Sequence, residues 1–129
     1  MPGAALVDSS VMIALLRRGE DLAEWLGDRL QDIYTCGMVR VEVLRGIKNP
    51  RERDLVSSFF DVLCNVQTDN RLWEQAAVLG WELDRSGLNI PAQDIVIAAC
   101  ALRAGVPVMT ADKHFHGIPD LAVIPFPNL

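Results

Sequence analysis

The chain of 129 residues has a mass of 14.2 kDa, is half hydrophobic and 22% charged, and carries a formal net charge of −5 with a sequence pI of about 4.9. This composition excludes a disordered chain, a collagen-like repeat and a disulfide miniprotein, and the length suits one domain over residues 1–129. The acidic balance argues against a protein that coats phosphates with basic side chains, and leaves open a nucleic-acid enzyme that works through metal ions or a local basic patch.

In chain order, Ala4 to Val7 reads as a short buried strand, after which Ser9 or Ser10 is placed to cap a helix running to about Arg18. Glu20 to Leu30 carries Leu22, Trp25, Leu26 and Leu30 at helical spacing. Ile33 to Cys36 predicts a second strand, Val39 to Ile47 a helix stopped near Gly46, and Arg51 to Phe60 another helix. Val62 to Val66 predicts the third strand. Asp69 to Arg85 is the longest helical segment, with Leu72, Ala76, Leu79 and Leu83 on one face and Ser86-Gly87 at its end. Ile90 to Ala104 predicts a helix with Pro91 in its first turn and Gly105 at its exit. Val106 to Met109 is the fourth strand and Ala122 to Ile124 the fifth, ahead of Pro125 and Pro127. Short apolar strands alternating with helices predict an α/β fold, a central parallel sheet of four to five short strands with helices on both faces. In such sheets ligands bind beyond the carboxyl ends of the strands, where strand order reverses.

Cys36, Cys64 and Cys100 are odd in number, form no Cys-x-x-Cys motif and lie in or beside apolar stretches, so reduced, buried thiols are expected. His114 and His116, with no Cys or Glu nearby in sequence, make a poor zinc site. The apolar run from Ala4 to Leu16 is broken by Asp8, Ser9 and Ser10 and lacks a basic lead-in. It is also short of the roughly 20 apolar residues a bilayer span needs, and a cytoplasmic protein is expected.

Four acidic residues fall where the sheet rule directs attention. Asp8 ends the first strand, Glu42 is embedded in Val39-Arg40-Val41-Glu42-Val43-Leu44, Asp94 precedes Ile95-Val96-Ile97-Ala98-Ala99, and Asp112 follows the fourth strand. Each alone has an ordinary explanation: a helix cap for Asp8, the helix dipole for Asp94, a turn for Asp112, a solvated face for Glu42. Together, carboxylates clustered without a counter-charge would repel and take up protons, and a divalent cation removes that conflict. Oxygen ligands suit Mg²⁺, or Mn²⁺, rather than zinc.

Leu6-Val7-Asp8-Ser9-Ser10-Val11-Met12-Ile13, Val41-Glu42-Val43-Leu44-Arg45-Gly46, Ile90-Pro91-Ala92-Gln93-Asp94-Ile95-Val96-Ile97 and Thr110-Ala111-Asp112-Lys113-His114-Phe115 resemble, in order, the four acidic motifs of PIN domains. A PIN domain of this length is most similar to the VapC-type ribonuclease toxins of toxin–antitoxin pairs. The resemblance implies Asp8, Glu42, Asp94 and Asp112 as the catalytic, metal-binding set, with Asp112 at the family's most variable position. It implies supporting roles for Ser10 and Thr110, hydrolysis of RNA to 5′-phosphate and 3′-hydroxyl ends, a cognate antitoxin and a homodimer. Arg40, Arg45, Lys48, Arg51 and Arg53 offer a basic cluster beside Glu42 for RNA, or an ion-paired solvated face. Trp25, Trp73 and Trp81 are placed to stack bases, although tryptophan at helical spacing is more often core or interface. The segments carrying Leu22, Trp25 and Leu26 and carrying Leu55, Phe59 and Phe60 offer apolar surface for the antitoxin.

Three alternatives compete. A receiver-like phosphoacceptor module would use Asp8, Thr110 and Lys113, but the acidic pair at the first strand end is absent and Val66-Gln67-Thr68 has no Asp at its tip. A haloacid-dehalogenase-like phosphatase would need Asp where Ser10 stands. The third is a non-catalytic PIN domain used for protein binding.

Overall fold

The computed structural model describes residues 3–126; the ends of the 1–129 domain assignment, and Pro127 after the last strand, lie outside the described residues. Five parallel strands form one sheet: β1 (Ala4–Val7), β2 (Asp32–Cys36), β3 (Cys64–Val66), β4 (Val108–Thr110) and β5 (Val123–Pro125), in the order β3-β2-β1-β4-β5. Six helices connect them: α1 (Ser9–Arg17), α2 (Leu22–Gly27), α3 (Gly37–Arg45), α4 (Pro50–Asp61), α5 (Asn70–Arg85) and α6 (Ala92–Ala104), with a 3₁₀ turn at Lys113–Gly117. The chain steps one way from β1 to β2 to β3, then returns past both to β4. Right-handed crossovers therefore set α1 to α4 on one face and α5 and α6 on the other. The reversal falls between β1 and β4, whose register pairs Leu6 with Val108 and Val7 with Met109.

The central strands are buried: Ala5, Leu6, Val7 and Val108 are fully covered, as a parallel sheet clad on both faces requires. The core continues through Val11, Met12 and Leu15 of α1, Val39 and Val43 of α3, and Ile97 to Ala101 of α6. Gly105 ends α6 at φ +69°, a left-handed cap that any Cβ would strain. Pro125 lies within β5, where an edge position costs no ladder hydrogen bond. None of the described helices is long and apolar enough to cross a membrane.

Several expectations are corrected. Asp8, not Ser9 or Ser10, occupies the N-cap of α1, and both serines lie in its first turn. The segment 20–30 yields only Leu22–Gly27, because Asp21 accepts a hydrogen bond from the Glu24 amide and starts the helix late. β3 is shorter than expected, since Val62 caps α4 and is exposed. Cys36 and Cys100 are buried, but Cys64 is exposed. Trp25 is only 6% exposed, packed against Phe126 at 5.5 Å and covered by the Arg29 guanidinium at 3.7 Å, so it is core rather than docking surface. Leu22 and Leu26 are buried beside it, whereas Trp73 and Trp81 are exposed.

Candidate functional site

The site builds up from the carboxyl ends of β1 and β4. The Asp8 amide donates to the Met109 carbonyl at 2.9 Å, which fixes where the chain leaves β1. Asp8 then sits at the N-cap of α1 but makes no capping bond with its side chain. Its carboxylate is only 3% exposed and turns instead to two hydroxyls: Ser10 Oγ donates to Oδ2 at 2.7 Å and Thr110 Oγ1 donates to the same oxygen at 2.9 Å. Both hydroxyl protons are thus committed to one oxygen, and among the described residues Oδ1 accepts none. Thr110, buried at the end of β4, also accepts from the Asp112 amide at 2.9 Å, and Ser10 Oγ accepts from the Ala111 amide at 3.2 Å. Ser10 and Thr110 therefore join the first and fourth acidic segments into one network.

Asp112 opens the 3₁₀ turn, with Oδ1 accepting from the His114 amide at 3.0 Å. The turn folds the His114 ring back, so that Nδ1 stands 3.2 Å from Asp112 Oδ1 and 2.8 Å from Asp94 Oδ2. Asp94 comes from the first turn of α6, with Pro91 as N-cap. One carboxylate oxygen each from Asp94 and Asp112 and a ring nitrogen of His114 lie within 4.8 Å of one another. Glu42 reaches the site from α3 and accepts from Ser9 Oγ at 3.2 Å. It also lines a recess with Arg45, Trp73 and Gln93.

The electrostatics follow from this convergence. Burial pushes the Asp94 carboxyl above the ordinary range and the charges of Asp8 and Asp112 push it further, with His114 offsetting part of the rise. Glu42 is raised for the same reasons, burial first and then the charges of Asp8 and Asp94, partly countered by the Ser9 hydrogen bond. The helix dipole at Asp94 acts in the other direction and is outweighed. The His114 imidazole is raised, chiefly by its hydrogen bond to Asp94. The site thus gathers carboxylates whose charges disfavour one another.

Asp94 and Asp112 are brought into one tight group, Asp8 is tied to it through Thr110, and Glu42 feels the charges of both Asp8 and Asp94. Asp8 and Glu42 contribute no atom to the tight group itself. The donor chemistry, carboxylate oxygens with raised proton affinity, fits a divalent cation. Sequence reasoning missed His114, which it weighed only as a zinc ligand. The available signal was its place two residues after Asp112, the spacing at which a capping Asp turns the chain back on itself. Of the expected basic cluster, Arg40 is structural: it pairs with Asp61 at 2.9 Å, donates to Ser57 and lies over the Phe60 ring. Arg53 pairs with Asp54 at 3.5 Å, whereas Arg45, Lys48 and Arg51 form no ion pair among the described residues.

A family model described as "PIN domain" matches residues 5–121. Solved structures with the same fold include a DNA-bound VapBC from Salmonella typhimurium, 19% identical, with a TM-score of 0.79 and 97% of this chain and 98% of that chain covered. A member of the VapBC family of toxin–antitoxin systems from Mycobacterium tuberculosis, VapBC-5, is 24% identical, with a TM-score of 0.66 and 96% and 98% covered. VapC20 from the same organism, described as a sarcin–ricin loop cleaving toxin, is 17% identical, with a TM-score of 0.63 and 92% and 98% covered. No curated protein matches the sequence at a significant level.

Proposed function

The chain belongs to the PIN domain family, and from that premise we propose that it is a metal-dependent endoribonuclease, the toxin of a toxin–antitoxin pair acting in the cytoplasm. The observation that carries this reading is the hydroxyl network that links Asp8 to Asp112 while Asp94 and Glu42 are held nearby with raised proton affinity. The single domain over 1–129 is part of the same reading.

Asp8, Glu42, Asp94 and Asp112 are the assigned catalytic and metal-binding residues. Ser10 and Thr110 fix the Asp8 carboxylate through Oδ2 and leave its Oδ1 free to bind. A Mg²⁺ or Mn²⁺ ion held by these carboxylates would supply a more acidic bound water and positive charge to offset that developing at phosphorus and the leaving oxygen. The chain's own part is to hold a dense set of carboxylates on rigid strand ends and helix starts. Arg45 beside Glu42, and Lys113 in the recess formed with Ser10 and His114, supply local positive charge for an RNA backbone despite the acidic pI. The test is cleavage of a structured RNA by the purified protein, abolished by EDTA, restored by Mg²⁺ or Mn²⁺, and leaving 5′-phosphate ends. A protein that binds its partner but cleaves nothing under any metal would favour the non-catalytic PIN reading.

Cation binding is expected to strengthen as pH rises through the raised folded-state pKa values of Asp94 and Glu42. Asp94 and Glu42 hold protons to higher pH in the folded chain than in the unfolded one. A metal must displace those protons. Without metal the same shifts have the opposite consequence. The folded state keeps these protons to higher pH than the unfolded state, so that contribution to stability is present below the unfolded pKa values and lost as pH rises through the folded ones. Calorimetric titration with Mn²⁺ in two buffers of different ionisation enthalpy reads the proton release directly. A pH-independent affinity with no proton release would remove Asp94 and Glu42 from the ligand set.

The antitoxin surface moves away from Trp25. Adjoining grooves of about 370 and 450 Å³ meet at Leu16 and Glu52, one between α1 and α3 and the other between the start of α2 and α4, where Leu55 and Phe59 line it. Leu55 is 68% exposed, an apolar side chain the monomer leaves uncovered. Leu55→Asp is expected to weaken antitoxin binding about tenfold, the order of one lost apolar anchor, and to leave metal-dependent cleavage unchanged. Surface plasmon resonance with the antitoxin and an RNA cleavage assay together check both halves. Trp73, Val78 and Trp81, exposed on α5, are the surface assigned to a homodimer.

A further inference from the structure

Every acidic segment of the site presents oxygen, and one side chain presents nitrogen. His114 Nδ1 stands 2.8 Å from Asp94 Oδ2 and 3.2 Å from Asp112 Oδ1. Ligands about 2.1 Å from one octahedral ion stand about 3.0 Å apart when adjacent and about 4.2 Å apart when opposed. Nδ1 therefore already lies at adjacent-ligand spacing from both carboxylates, and the three donor atoms, all within 4.8 Å of one another, can share one ion once the proton of the Nδ1–Oδ2 hydrogen bond is released to solvent. The ring is held for this by the local backbone: the His114 amide is fixed on Asp112 Oδ1 at 3.0 Å, and the next residue, Phe115, is fully buried.

We propose that His114 Nδ1 is a direct ligand of the site's divalent cation, and that the resulting mixed nitrogen–oxygen set with Asp94 and Asp112 selects Mn²⁺ over Mg²⁺. The proposal rests on the metal-dependent reading above and changes its ligand chemistry from oxygen alone. Mg²⁺ is a hard ion that keeps its waters and takes oxygen, whereas imidazole is a normal ligand for first-row transition ions. A histidine in the first coordination sphere therefore costs Mg²⁺ more than it costs Mn²⁺. His116, in the same turn, makes no hydrogen bond or ion pair with any of the carboxylates among the described residues, so the assignment falls on the His114 ring.

The experiment is pulsed electron paramagnetic resonance on the intact protein loaded with Mn²⁺, which detects the ¹⁴N of a directly bound imidazole, together with calorimetric affinities for Mn²⁺ and Mg²⁺. The wild-type chain is expected to show the nitrogen modulation. His114→Gln should lose it and His116→Gln should keep it. Gln offers an amide oxygen at a half-exposed position, so the fold and an oxygen-only site survive the change. In His114→Gln the Mn²⁺ affinity should fall about tenfold or more, on the scale by which altered ligation changes metal affinity, while the Mg²⁺ affinity falls less. Bound Mn²⁺ without nitrogen modulation in the wild type, or modulation that survives His114→Gln, would overturn the proposal and leave the metal-dependent reading standing. Failure of the wild type to bind Mn²⁺ at all would overturn both.

Discussion

Replacing Asp8 by Asn is expected to lower metal-dependent RNA cleavage by roughly 10²-fold or more, the several kcal/mol that a lost charge at the reacting centre costs. The geometry separates this loss from any loss of fold. Ser10 and Thr110 both donate to Oδ2, and the amide oxygen of Asn accepts from the same two hydroxyls. The amide NH₂ then falls where Oδ1 now stands, the oxygen that accepts no hydrogen bond and is assigned to the cation. The metal-free variant should melt no lower than the wild type, because one of the charges raising Asp94 and Glu42 is gone. It should also lose the rise in Tm that Mn²⁺ gives the wild type. Gel-based cleavage and thermal melts with and without Mn²⁺ measure both. Cleavage at the wild-type rate in Asp8→Asn would move the chemistry to another site.

The site was legible in the sequence to the extent that it rests on strand ends. Asp8, directly after a run of four apolar residues, and Asp112, just past the fourth, needed only the rule that ligands gather where strand order reverses. The strand order that places them there, β2-β1-β4, was not legible, since nothing local fixes which strand lies beside β1. The same limit explains Trp25. Its helical spacing was right, but its partner Phe126 is about a hundred residues away, so burial depended on a contact no local pattern encodes. His114 was missed because its role is tertiary: Asp94, twenty residues earlier on α6, gives its nitrogen a meaning that spacing from Cys or Glu could not. Arg40 shows the reverse limit, since its basic run reads equally as an RNA cluster or an ion-paired face. Asp61 and Phe60, on the following helix, decide for the ion-paired reading and turn the side chain into a strut between helices.

Phe115→Ala is expected to destabilise the protein by about 3–5 kcal/mol, the cost of emptying a buried aromatic site, and to weaken Mn²⁺ binding as well. Phe115 is the only fully buried residue of the 3₁₀ turn, between His114 and His116, so it is the anchor that sets the height of Asp112 and His114 over the strand ends. The turn is seated closely on its other side: a Cβ at Gly117 would stand 3.1 Å from the Leu88 side chain. With the ring removed, the turn keeps its polar ties, His114 to Asp94 and the Asp112 amide to Thr110, but loses its one buried apolar side chain. Phe115→Leu keeps most of the volume and should cost less than about 1.5 kcal/mol, with metal affinity near that of the wild type. Since a domain of this size is stable by only about 5–15 kcal/mol, urea unfolding of the two variants without metal will separate them clearly. A cost below about 1 kcal/mol for Phe115→Ala, or unchanged Mn²⁺ affinity in that variant, would mean that the acidic turn is positioned by its own hydrogen bonds rather than by the core beneath it.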